Sequence, residues 1–152
     1  MKLAEALALR ADVQKRLEQM RERLRMSALV QEGDQPPEDP QALLAELERM
    51  LADLTRLVAR INRTNLATQL ADGTSLTDAL ARRDTLALHQ SILKSVVDAA
   101  SARIDRYTRS EIRRMATVDV AALRRQMDEM AQQRRELDTT IQAANWTTEL
   151  IE

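Results

Sequence analysis

Apolar residues recur three and four positions apart through almost the whole chain. Leu44, Leu47, Leu51, Leu54, Val58 and Ile61 form the clearest run. This spacing lines one face of an α-helix, which must then bury a long, narrow seam against other helices. A first helix is expected from about Lys2 to Ala28, with Leu3, Ala6, Val13, Leu17, Met20 and Leu24 on its seam. Arg10 fills the one slot of that register that should be apolar. The stretch Gln31 to Asp39 reads QEGDQPPED and is a loop: Gly33 stops the helix and Pro36-Pro37 cannot continue one. Asp39-Pro40 then reads as an N-cap followed by proline at the first helical position.

The second helix is expected to span Pro40 to about Leu70 and to end at Asp72-Gly73. Ser75, with Asp78 three residues on, starts a third helix in the manner of a capping box. So short a connection predicts that helices two and three form an antiparallel hairpin. The third helix should reach about Arg106 through Leu76, Leu80, Leu86, Leu93, Val97, Ala100 and Ile104. Leu88, Ile92 and Val96 sit off that seam, and a helix apolar on two faces contacts more than one neighbour. From Tyr107 to Val120 the periodicity fails, and β-favouring Thr and Val predict a partly extended connector or a short strand. The last helix runs from Val120 to about Asn145, with Leu123, Met127, Met130, Leu137, Ile141 and Ala144 on one face. Arg134 interrupts that face as Arg10 does the first. The expected architecture is all-α: an elongated four-helix bundle of antiparallel coiled-coil hairpins, one domain over residues 1–152, with a short irregular or strand-like connector before the last helix.

Composition supports bundling over a layered globule. The chain has no Phe, one Tyr and one Trp, so a core must be filled by aliphatic side chains meeting across seams. With no Cys there is no disulfide framework and no thiolate chemistry, which leans toward a reducing compartment. The net charge is −1, and acids and bases are spread evenly over both halves, so no basic half is available to grip DNA. The N-terminus carries Glu5, Arg10 and Asp12 too early for a signal-peptide core. No uncharged run approaches the roughly 18 apolar residues of a membrane span. A cytoplasmic protein without a membrane role is expected.

Candidate chemistry is sparse. His89 is the sole histidine, and the position three before it is Leu86, so the Glu-x-x-His signature of bundle metal sites is missing. Two distant glycines cannot build a phosphate-cradling loop, and no Gly-x-Ser-x-Gly elbow occurs. Catalysis, metal and cofactor are therefore not expected. Arg103, Arg106, Tyr107, Arg109, Arg113 and Arg114 form the one local charge concentration, a candidate anion or interaction surface. Arg10 and Arg134, with the polar islands at Asn62, Asn65, Asn145 and Trp146, are candidates for a polar layer that sets helix register and partner choice.

Several segments carry a resemblance: KLAEALALRADVQKRLEQMRERL, INRTN followed by DGTSLTDALARRD, then DRYTRSEI, TVDV and NWTTELIE. Together they resemble the septicolysin-like family of small bacterial proteins over nearly the full chain. The resemblance implies a single-domain helical protein, and the family name implies a cytolysin; it carries no ligand or catalytic residues onto this sequence. The reading that residues and resemblance support together is a non-catalytic structural or interaction protein that assembles with copies of itself. A membrane-active protein and an RNA- or anion-binding module working through the Arg103–Arg114 cluster are the alternatives.

Overall fold

The described residues form four helices: α1 (Leu3–Ser27), α2 (Pro40–Ala67), α3 (Leu76–Ala100) and α4 (Val120–Thr147). They are seen in a computed structural model that describes residues 1–102 and 114–152. The fold is all-α, as the periodicity requires, and extended pairing among the described residues is limited to two isolated bridges. The connector expected to be irregular or strand-like is irregular in its described part. Residues 114–119 are irregular and exposed, and Tyr107 to Arg113 lie outside the described residues. The chain divides into two compact units, Met1–Ser75 with Ala143–Glu152, and Leu76–Gln142.

Within the first unit α1 packs on α2 across the Gln31–Asp39 loop. Helices α2 and α3, expected to form a hairpin across Asp72-Gly73, fall in different units. The register read from the sequence, Leu3, Ala6, Arg10, Val13, Leu17, Met20 and Leu24, is buried or half-buried throughout α1, and Ser27 continues it. For α2 the register needs correction. On this face Leu43, Leu57, Ile61 and Thr64 are buried and Leu47, Met50, Leu54 and Val58 half-buried, whereas Leu44 and Leu51 are 44% and 40% exposed. The reason is a pair of apolar doublets: Leu43-Leu44 and Met50-Leu51 each offer two candidates for one seam slot, and the first of each is the covered one.

Helix ends follow local chemistry. Asp39 Oδ1 accepts from the Gln41 amide at 3.0 Å, and Asp119 Oδ1 accepts from the Ala122 amide at 2.9 Å. Each carboxylate satisfies an amide that the first helical turn leaves unpaired. Gly33 and Gly73 both have positive φ, at 91° and 81°, and Gly73 donates to the Leu70 carbonyl in the turn that ends the α2 segment. At the loop end of the first unit, the Arg23 guanidinium of α1 holds Glu38 with Nε at 2.9 Å. This hydrogen bond holds the Glu38 carboxyl below the usual carboxylate range and raises Arg23.

A repeat runs beneath the four helices. Leu3, Ala6, Leu7, Ala8 and Arg10 of α1 reappear at constant spacing as Leu76, Ala79, Leu80, Ala81 and Arg83 of α3. Asp39, Leu43, Met50, Leu57, Ile61, Asn65, Thr68 and Leu70 reappear at constant spacing as Asp119, Leu123, Met130, Leu137, Ile141, Asn145, Thr148 and Leu150. The two bridges obey the same correspondence: Gln69 pairs with Ser75 as Glu149 pairs with Lys2. So do their hydrogen bonds, Leu70 N to Thr74 O at 2.8 Å and Leu150 N to Met1 O at 2.9 Å. The chain is a duplicated helical hairpin whose later copy has a longer connector.

The Lys2–Glu149 stitch is also ionic. Glu149 takes Lys2 Nζ at 2.7 Å and the N-terminal ammonium at 3.1 Å, which together hold its carboxyl below its ordinary value of 4.5. A carboxylate lowered by folding contributes stability above its unfolded pKa and loses it as pH falls through the folded one. Amide protection at Leu3 and Leu150 should therefore stay level from neutrality down to the ordinary value of 4.5 and fall below it. Glu149→Gln should remove that acid step. Hydrogen exchange followed against pH measures both.

Candidate interaction surfaces

In the first unit the ends of the chain meet the end of α2 around Thr64. Thr64 is fully buried, and its hydroxyl accepts from the Ile151 amide at 3.0 Å while donating to the Arg60 carbonyl at 2.8 Å. Arg60 Nε donates back to the Ile151 carbonyl at 3.0 Å. Buried polar atoms held this way fix the tail in one position, since losing either partner would strand the other. Buried Thr64 lies one residue before Asn65, where a polar layer is expected. Asn65 is half-buried and Asn145 is buried, whereas Asn62 is exposed. Trp146, expected in the layer, is 65% exposed, and its repeat counterpart Leu66 is 67% exposed. Both occupy the helix position just past the seam, which turns the side chain outward in both copies.

The two seam arginines differ. In the second unit, half-buried Arg134 of α4 donates to the Gln90 side chain of α3 at 3.5 Å, and Arg83 lies 3.9 Å from Asp138. Arg83, Arg134 and Asp138 line a small open recess of about 330 Å³. The repeat gives the counterparts of Arg134, Gln90, Arg83 and Asp138 in the first hairpin as Leu54, Leu17, Arg10 and Val58. An apolar layer has become polar, and the acid opposite Arg83 has no equivalent opposite Arg10. Accordingly, Arg10 Nε is buried without a hydrogen-bond partner among the described residues. Its stem lies in the seam, as the sequence register indicates.

Arg103, Arg106, Tyr107, Arg109 and Arg113 lie outside the described residues, and Arg114 is exposed. His89 is exposed on α3. Among the described residues no group of three or more His, Asp or Glu is placed to hold a metal, and no helix is long and apolar enough to cross a membrane.

Two apolar features remain open. Leu88, Ile92 and Val96 of α3, four residues apart, are 61%, 53% and 36% exposed. Their repeat counterparts on α1 are Lys15, Gln19 and Arg23. A hairpin of this kind therefore folds with that face polar, and the apolar face of α3 answers to something other than its own seam. The second feature is an open groove of about 760 Å³ between α1 and α2. Leu17, Leu24, Leu47 and Leu51 form its floor, and Lys15, Glu18, Arg21 and Arg25 border it on α1. The groove was not read from the sequence; the wrongly chosen slot at Leu51 was its trace.

Comparisons with known proteins agree on the fold and leave the activity open. A crystal structure of a functionally unknown conserved protein from Corynebacterium diphtheriae superposes with a TM-score of 0.93, is 44% identical in sequence, and covers 99% of both chains. No curated protein matches the chain. The septicolysin-like resemblance is overturned: the polar islands belong to a different family. The model of the family of unknown function DUF6847 matches residues 10–150, and the chain belongs to that family.

Proposed function

We propose that this protein is a non-catalytic, cytoplasmic scaffold that assembles with copies of itself through its helical faces. The observation that carries the reading is the apolar face Leu88, Ile92 and Val96, exposed on α3 where the duplicated hairpin has Lys15, Gln19 and Arg23. In a chain with 31% charged residues, such a replacement across successive turns marks a contact surface. Closed assemblies of identical chains are the usual way to cover one. The absence of cysteine supports the compartment. Light scattering across the micromolar range tests the proposal. The expected mass is that of two or more chains, and a constant 17.3 kDa would overturn it.

A further inference from the structure

We infer that the outer face of α3 from one copy docks into the α1–α2 groove of a second copy. This rests on the self-assembly proposed above and names its two surfaces. The lengths agree. Leu88 to Val96 spans about 12 Å of helix, and the groove follows α1 from Gln14 to Arg25 over about 16 Å. Ala81, Thr85 and Ala99 continue the α3 face without charge. A helix presenting residues four apart to a leucine-floored cleft is a common mode of helix recognition.

The charged borders are complementary. Asp84 and Asp98 flank the α3 face on one side, and Lys15, Arg21 and Arg25 outnumber Glu18 along the α1 rim. On the other side Arg82 and His89 border α3, and Glu48 adjoins Leu47 on α2. Asp84 pairs with Arg83 at 2.8 Å and Asp98 with Lys94 at 2.6 Å. Glu18 holds Arg21 at 3.1 Å. Exposed pairs of this kind are weak and can exchange partners when a second helix arrives. The face and the groove are different surfaces, so the contact is head-to-tail. One such contact leaves a free groove on one copy and a free face on the other until further contacts close the assembly.

Head-to-tail contact has a signature that a face-to-face dimer lacks. Ile92→Glu should disable the α3 face and leave the groove; Leu51→Glu should disable the groove and leave the face. Both positions are exposed in the chain, at 53% and 40%. Each variant alone is expected near 17.3 kDa by light scattering, with wild-type helix content by circular dichroism. Mixed in equal amounts, the two should form a complex of twice that mass, because one intact face meets one intact groove. Two monomeric variants that remain monomeric when mixed would overturn the inference in favour of a symmetric contact. A variant that assembles like the wild type would overturn it while leaving self-assembly standing. A wild-type monomer would overturn both. Should either glutamate variant lose helix content, Ile92→Ser and Leu51→Ser carry the same comparison.

Discussion

Ile61→Ala is expected to destabilise the protein by about 2–5 kcal/mol, the range for truncating a buried aliphatic side chain that its surroundings cannot refill. Ile61 is completely buried on the α2 seam, one turn before Thr64, whose hydroxyl holds the chain's tail. Removing its outer methyl and methylene groups opens space beside a hydrogen-bonded polar cluster that cannot move inward without stranding the Ile151 amide. Its repeat counterpart Ile141, 1% exposed on α4, should respond comparably. Leu66→Ala, at a position 67% exposed, should change stability by less than about 0.5 kcal/mol. Guanidinium unfolding measures all three. An Ile61→Ala loss as small as that of Leu66→Ala would mean that the α2 seam does not run through Ile61.

The second large effect has the opposite sign. The double substitution Gln90→Leu with Arg134→Leu restores on α3 and α4 the apolar layer that Leu17 and Leu54 supply on α1 and α2. The existing Arg134–Gln90 contact is long, at 3.5 Å, and both side chains are half-buried, so it recovers little of what desolvating them costs. The double variant is expected to be more stable by about 1–3 kcal/mol, within the range seen when buried polar groups give way to well-packed apolar ones. Arg134→Leu alone should gain less, because Gln90 would lose its partner. Denaturant midpoints for the single and double variants decide it; a double variant weaker than the wild type would show that the polar layer holds the two helices in register.

The Arg134 and Arg10 slots show how much of the fold could be read without coordinates. Helix number, type and approximate bounds follow from three-and-four spacing, because nothing but a helix buries that pattern. Asp39, Pro40, Asp119 and the two glycines then set the ends through bonds made within a few residues. The duplication was equally present in the sequence, from Leu3-Ala6-Arg10 with Leu76-Ala79-Arg83 to Asn65-Thr68-Leu70 with Asn145-Thr148-Leu150. Seam periodicity alone does not reveal it, because every amphipathic helix shares the three-and-four spacing whether or not it is a copy.

Tertiary structure alone decided the rest. An apolar doublet such as Leu43-Leu44 gives two helix faces equal claim to the seam, and only the position of α1 selects Leu43 and leaves Leu44 outward. The groove over Leu17, Leu24, Leu47 and Leu51 exists because two helices fail to close above those side chains, a property of their separation that neither helix encodes by itself. The stitch from Lys2 to Glu149 joins residues at opposite ends of the chain. Local periodicity fixes which residues turn together on one helix; which face then meets a neighbour, and which stays open for a partner, depends on contacts between residues far apart in sequence.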